Sequence, residues 1–176
     1  RTPSRWLRDV YQSQLPNTIK KIEHSNIHYL LQKSIAIKND IVLRDPKENG
    51  LRKVLNFGHT LGHAIESYFF ESENKTRLRH GEAIAIGMVC ETYLSHKVLN
   101  LSHEKMKSVK TLIDSLYDKV CILEEDFVGI FNFLKHDKKN SNGRVNFVLL
   151  KDFEDFKLDC EISNELLKES IHYYNS

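Results

Sequence analysis

Several features that mark whole classes of protein are scarce or absent in this sequence. There are three cysteines, widely separated and without a CxxC pair, which argues against a disulfide framework and favours a reducing compartment. No apolar run approaches the ~20 residues that a membrane-spanning helix requires, and the opening residues RTPSRWLRDV lack the apolar core of a signal peptide. The formal net charge of +2 is too small to indicate nucleic acid or a membrane surface as a partner. The composition therefore predicts a cytoplasmic protein.

Helical periodicity dominates what is present. The sequence predicts one mainly α domain over residues 1–176, with a small antiparallel β-hairpin at 144–162. A cap at Ser25 or Asn26 begins the first predicted helix, which runs to about Arg44, and Ser163 caps the last, which runs to about Tyr174. The helices predicted between them cover 51–70, 81–98, 102–117 and 124–134.

One lysine stands out in the first predicted helix. Projected from Ile27, Lys38 lies near the centre of the apolar face, between Leu31, Ile35 and Val42. Buried lysine is rare unless it is paired. Either the stem packs while the ammonium reaches water, or the charge meets a ligand, and the pattern alone does not decide between them.

The stretch 51–66, LRKVLNFGHTLGHAIE, has two chemically different faces when it is projected as a helix. An apolar face lies opposite a polar stripe within roughly an 80° arc. The stripe consists of Arg52, Asn56, His59, His63 and Glu66. A merely solvated face usually carries interchangeable Lys, Glu and Gln, so this combination favours a functional site.

A second segment, RHGEAIAIGMVCE at 79–91, places a histidine at the start of a predicted helix rich in small residues. On that helix His80, Ile84, Gly87 and Glu91 share one face, and its small residues allow a neighbouring helix or ligand to approach closely. His59 and His63, at i and i+4, can direct imidazole nitrogens to one point, and a third histidine from another helix would complete a divalent-metal set. By spacing alone this signal is weak, because nine histidines in 176 residues can produce such a pair by chance, and the plainer interpretation is a pair of exposed or otherwise satisfied histidines.

The run NFGHTLGHAIE followed by HGEAIAIGM resembles the 3-dehydroquinate synthase family and the wider group of sugar-phosphate cyclases. The resemblance extends over about residues 27–150. It implies conversion of 3-deoxy-arabino-heptulosonate 7-phosphate to 3-dehydroquinate and phosphate, in the shikimate pathway that leads to chorismate and the aromatic amino acids. It also implies catalytic use of NAD, a divalent metal (zinc or cobalt) and a homodimeric full-length enzyme.

The same resemblance implies roles for individual residues. The implied metal ligands are His59 and His80, and the implied proton-transfer groups are His63 and Glu48. The implied substrate contacts are Lys38, Arg52, Asn56 and one of Lys138 and Lys139. Without the resemblance, Glu48 is better interpreted as an exposed turn carboxylate, and the two late lysines as solvated.

Part of the expected enzyme is not found in this sequence. The chain begins at Arg1, has no GxGxxG motif, and has no counterpart in residues 1–26 of the AE-containing motif that carries the family's third metal ligand, a glutamate. We expect the NAD-binding domain and that ligand to belong to an amino-terminal half outside this chain. The chain alone is then expected to fold but to be inactive. Glu66 and Glu91 are expected to support neighbouring groups or form ion pairs, not to bind the metal.

Two other functions stay open. Another sugar-phosphate cyclase, such as a 2-deoxy-scyllo-inosose or epi-valiolone synthase, would share the metal set and differ in the groups that contact the substrate carboxylate. Alternatively, the chain could be a non-catalytic helical interaction module whose histidines are structural.

Overall fold

A computed structural model describes residues 24–138 and 145–176. Lys139, together with the side chain of Lys138, lies outside this description. The helices are α1 (His24–Arg44), a 3₁₀ helix (Leu51–Asn56), α2 (His59–Glu71), α3 (His80–Leu99), α4 (His103–Leu116), α5 (Asp126–Lys138) and α6 (Asn164–Asn175). Strands β1 (Phe147–Asp152) and β2 (Asp155–Cys160) pair antiparallel. The predicted mainly α fold with one antiparallel hairpin is confirmed.

Helix α3 lies at the centre of the domain, where it packs against α2, α4, α6 and strand β1. Its sequence explains this position, because small and apolar residues occur on several sides of the helix. Val89 and Leu94 are completely buried, and they join one apolar core that also includes residues of α5 and both strands. A helix that is apolar nearly all round is a buried helix, so α3 forms the rigid base on which α2 is placed.

The prediction of one continuous helix over 51–70 is wrong. The 3₁₀ helix ends at Asn56, and α2 begins only at His59. Between them Gly58 adopts a left-handed conformation with φ of +82°, which glycine accepts without the steric cost that a Cβ atom brings. Arg52 and Asn56 therefore do not continue the helical stripe of His59 and His63, as a single projection at 100° per residue had assumed.

The expectation that Lys38 lies on a packed apolar face is also wrong, since this residue is exposed on α1. Leu31 and Ile35, expected beside it on a packed face, are 54% and 67% exposed. The helix packs through its last turns, where Ile41 forms a small apolar cluster with Val54 of the 3₁₀ helix and Val148 of β1. Periodicity identifies the residues that share a face, but it does not reveal whether another element covers that face.

The three cysteines form no disulfide with one another, and the described helices are too short or too polar to cross a membrane. Cys90 and Cys160 are buried, Cys121 is exposed, and all three are free thiols. Burial raises the pKa of Cys90 to about 12, which fits the expected role of a small buried thiol and not of a nucleophile. Across 24–138 and 145–176, none of the helices is both long and apolar enough to cross a bilayer.

Candidate metal centre and substrate site

Three glycines bring α2 and α3 unusually close together. A Cβ atom on Gly87 would overlap the carbonyl oxygen of Gly58 and would lie 2.9 Å from the amide nitrogen of Gly62. A Cβ atom on Gly62 would in turn lie 3.0 Å from the carbonyl oxygen of Ala83. Because these contacts are made by backbone atoms, no side-chain rotation could relieve them. The small residues predicted to allow a close neighbour thus form the contact between these two helices.

This contact brings His59 and His63 of α2 beside His80, the first residue of α3. The ring centroids are 5.3 Å apart for His59 and His63, 5.8 Å for His59 and His80, and 5.5 Å for His63 and His80. Each ring offers a nitrogen, and these three nitrogens lie within 4.8 Å of one another. His59 is half-buried while the other two are exposed, so the cluster opens to solvent on one side. Three converging imidazoles suit Zn²⁺ or another divalent transition metal.

The hydrogen-bond partners of the Nδ1 atoms distinguish His63 from the other two histidines. Nδ1 of His59 lies 3.2 Å from the carbonyl oxygen of Phe57, and Nδ1 of His80 lies 3.0 Å from a carboxylate oxygen of Glu66. Carbonyl and carboxylate oxygens accept hydrogen bonds, so in the neutral form of each ring Nδ1 carries the hydrogen and Nε2 keeps its lone pair. His63 makes ring contacts to both other histidines but no hydrogen bond within the described residues. Two rings are thus oriented as metal ligands usually are, and the third is not.

The surroundings of His59 favour its neutral form. Partial burial lowers the pKa of His59, the nearby rings of His63 and His80 lower it further, and the hydrogen bond to the Phe57 carbonyl opposes the change. Metal binding requires neutral imidazole. A depressed pKa therefore reduces the competition from protons at this position.

Glu91 holds the start of α2. Its side chain is completely buried on α3 and accepts hydrogen bonds from the backbone amides of Gly58 at 2.6 Å and Leu61 at 3.4 Å. Burial raises the pKa of Glu91 to about 8, although backbone amides, including that of Thr60, favour the carboxylate. The face predicted to hold His80, Ile84, Gly87 and Glu91 is indeed the face that packs on α2. Glu91 supports this helix start by accepting hydrogen bonds from its backbone amides.

Three further predicted residues form a second group, in the turn before the 3₁₀ helix. Asn56 donates a hydrogen bond from Nδ2 to Glu48 at 2.9 Å, and Nε of Arg52 lies 3.5 Å from the other carboxylate oxygen of Glu48. Glu48 itself has a left-handed backbone, with φ of 55°. Non-glycine residues in that region are often held there for a functional reason. The three predicted residues therefore meet, although they do not continue α2.

Asp45 organises this turn and was missed as a site-building residue. Its carboxylate accepts the backbone amides of Asn49 at 3.0 Å, Gly50 at 2.8 Å and Arg52 at 3.0 Å, and these bonds lower the pKa of Asp45. The signal was present in the sequence, because an aspartate before proline in a turn commonly binds backbone amides a few residues further on. Asp45 thus places Arg52 relative to Glu48.

The remaining predicted substrate contacts are Lys38, Lys138 and Lys139. Lys38 is exposed on α1, six residues before the carboxyl end of that helix. Lys138 is the last residue of α5, with an undescribed side chain, and Lys139 lies outside the described residues. Their substrate contacts stay predictions.

Comparison with known proteins agrees with these features. The family model described as 3-dehydroquinate synthase C-terminal matches residues 5–140. The chain is 38% identical over 164 residues to a 3-dehydroquinate synthase of Parabacteroides distasonis, and 36% identical over 167 residues to one of Nitratiruptor sp.. These matches include 93% and 95% of the chain but only 46% of each relative. The chain therefore spans about half the length of the curated relatives that it matches.

Solved structures share the fold at lower sequence identity. A 2-deoxy-scyllo-inosose synthase complexed with carbaglucose-6-phosphate, NAD⁺ and Co²⁺ superposes with a TM-score of 0.66 at 22% identity, covering 96% of this chain and 49% of that one. A 2-epi-5-epi-valiolone synthase from Streptomyces hygroscopicus subsp. jinggangensis, with NAD⁺ and Zn²⁺ bound, gives a TM-score of 0.63 at 19% identity, covering 83% and 39%. The family model matches most of the chain and these structures share its helical architecture, so the chain belongs to the 3-dehydroquinate synthase C-terminal domain family.

Proposed function

We propose that this chain is the metal- and substrate-binding half of a 3-dehydroquinate synthase, which converts 3-deoxy-arabino-heptulosonate 7-phosphate to 3-dehydroquinate and phosphate. The observation that carries the proposal is the convergence of His59, His63 and His80 within 4.8 Å, on two helices held together by glycine contacts. An interaction module has no need for such a cluster. The NAD-binding domain and the homodimer, both expected from the resemblance, are part of the same proposal.

The residues present fit a divalent metal. We assign His59 and His80 as ligands through Nε2, because the Nδ1 atom of each ring is already engaged. A carboxylate from the amino-terminal half would supply the third ligand. His63 remains unengaged for proton transfer, since an imidazole can both take up and release a proton near neutral pH.

When bound, the metal would lower the pKa of the substrate hydroxyls and fix their orientation. NAD, bound mainly by the amino-terminal half, would supply reversible hydride transfer. His63 lies directly beside both proposed ligands, and we propose that it moves protons to and from the substrate held there. Glu48 is proposed as a second acid or base, held by Asn56 and Arg52.

Substrate recognition requires cations, because this sugar acid carries both a carboxylate and a phosphate. Arg52 presents a guanidinium, which is suited to bidentate binding of oxyanions, and Asn56 presents an amide. Lys38 and one of Lys138 and Lys139 would add point charges. With its open face covered by the amino-terminal half, the site would exclude water and strengthen these contacts.

Metal content and phosphate release by the full-length protein test the proposal. His59→Ala and His80→Ala should each lose bound metal and activity together, because an incomplete ligand set holds zinc weakly. His63→Ala should keep the metal and lose rate by ~10²–10⁴-fold. His172→Ala is the control, since His172 is an exposed residue on α6. Stoichiometric metal in both ligand variants would contradict the assignment, and loss of metal in His63→Ala would make that residue a ligand.

Two further measurements test which substrate the full-length enzyme uses and whether this chain alone contains the active site. Comparing heptulosonate phosphate with glucose 6-phosphate and sedoheptulose 7-phosphate would reveal a different cyclase, because only the first carries a carboxylate. The present chain alone, supplied with NAD and zinc or cobalt, should release no phosphate. Turnover comparable to that of the full-length enzyme would show that these 176 residues contain the whole active site.

A further inference from the structure

Glu66 joins the two helices at the metal centre. It lies on α2, one turn after His63, and its carboxylate reaches across to His80 at the start of α3, with Oε2 3.0 Å from Nδ1. The side chain of His80 is 58% exposed and that of Glu66 is 30% exposed. Because His80 is the first residue of its helix, no preceding helical turn restricts its side chain. Contact with Glu66 is therefore the main polar restraint on this ring.

This contact selects one tautomer of His80. Neutral imidazole carries its hydrogen on either nitrogen, and only the other nitrogen can bind a metal ion. A carboxylate accepting from Nδ1 fixes the hydrogen there and leaves the lone pair on Nε2. The negative charge also makes the ring a stronger electron donor, as in the carboxylate–histidine pairs of metal sites.

Glu66 itself is outside the set of converging ligand atoms. The group whose nitrogens lie within 4.8 Å of one another contains His59, His63 and His80 alone among the described residues. Glu66 is therefore placed behind one ligand. His59 receives the equivalent support from the Phe57 carbonyl of its own chain segment, whereas His80 depends on a side chain from the opposite helix.

We propose that Glu66 is a positioning residue that holds His80 in the Nδ1–H tautomer and directs Nε2 to the metal. The proposal rests on the proposed function, in which His80 is a ligand. It explains why the polar stripe of α2 ends in a carboxylate: the helix that supplies His59 also orients the ligand from α3.

Nitrogen NMR and metal titration of the full-length protein test this proposal in two independent ways. In the metal-free protein, the ¹⁵N shifts of the neutral ring should report His80 as the Nδ1–H tautomer, and Glu66→Ala should shift it toward Nε2–H. Titration with Co²⁺ against a competing chelator should show affinity falling by about 10- to 100-fold in Glu66→Ala. Glu66→Gln keeps an acceptor without the charge and should lie between the two.

Glu71→Ala is the matched control, because it removes an exposed carboxylate from the end of the same helix. It should leave both readouts unchanged. A wild-type His80 in the Nε2–H form, or wild-type affinity in Glu66→Ala, would overturn the positioning role. If the wild-type protein binds no Co²⁺ while the NMR tautomers behave as expected, the proposed function fails and the Glu66–His80 orientation stands.

Discussion

Replacing Gly87 by alanine should separate the two helices that form the metal centre. The new Cβ atom would overlap the Gly58 carbonyl oxygen and lie 2.9 Å from the Gly62 nitrogen and 3.0 Å from the Gly58 carbonyl carbon. All three are backbone atoms in a left-handed turn and the first turn of α2, so the helices must move apart. Overpacking of this kind costs about 1–3 kcal/mol and sometimes more, whereas alanine's higher helix propensity returns up to about 1 kcal/mol. Because the overlap with a backbone oxygen is severe, the cost should lie at the upper end of that range, and we expect a net loss of about 2 kcal/mol.

The same displacement should weaken metal binding. Metal–ligand distances tolerate deviations of only about 0.2 Å, and moving α3 away from α2 carries His80 away from His59. Metal affinity should therefore fall even in the fraction of protein that stays folded. A lower metal affinity in the folded protein would distinguish movement of the two helices from a general loss of stability.

Gly81 provides the control on the same helix. A Cβ atom there would meet only the Tyr117 hydroxyl, at 3.9 Å, so Gly81→Ala should be neutral or stabilising by up to about 1 kcal/mol. Urea unfolding followed by circular dichroism would measure both free energies, and Co²⁺ titration would measure affinity. A Gly87→Ala protein that matches Gly81→Ala in stability and in Co²⁺ affinity would refute the close-contact argument.

Two further predictions concern Glu91 and Lys38. The pKa of Glu91 is raised above its ordinary value of 4.5 to about 8, so its contribution to stability is fully present below about pH 4.5 and is lost as the pH rises through about 8. Because Glu91→Gln cannot ionise, its free energy of unfolding should rise relative to that of the wild type as the pH increases across that window. If the free energies of unfolding of the two proteins in urea change with pH in parallel, the burial argument is contradicted. Lys38 is exposed, so Lys38→Met should change the free energy of unfolding by less than about 0.5 kcal/mol while raising KM for the substrate or lowering kcat/KM in the full-length enzyme. Lys33→Met, an exposed change on the same helix, should leave both kinetic constants unchanged, and an equal effect of the two variants would remove Lys38 from the site.

Local signals in the sequence were sufficient for most elements. The predicted helix over 81–98 corresponds to α3 at His80–Leu99, and the predicted cap at Ser163 accepts the amide of Leu166 at 3.3 Å. Capping and periodicity depend on residues within one or two turns, which is why they can be recognised without a structure. The i, i+4 pair of His59 and His63 belongs to the same class of local signal.

The errors concern places where a distant segment decides the conformation. Gly58 interrupts the predicted helix with a left-handed backbone, and α3 requires glycine there, since a Cβ atom would lie 2.9 Å from Met88 N and 3.0 Å from Ile84 O. Lys38 is exposed because the described elements pack against the end of α1 and not along its whole apolar stripe. A glycine permits such a break but does not require it, and no residue near Lys38 shows whether its face is covered by another element.

Residue types and local spacing thus determined most of the helices, the hairpin and the chemical character of the polar stripe. Only the tertiary structure decided that His80 meets the α2 histidines, that Glu66 and not solvent faces its Nδ1, and that Glu91 binds the amides at the start of α2. These partners are set by how closely α2 and α3 approach, and that distance depends on backbone atoms meeting where side chains are absent. The sequence shows that Gly58, Gly62 and Gly87 lack side chains, but it does not show which backbone segment packs against each of them.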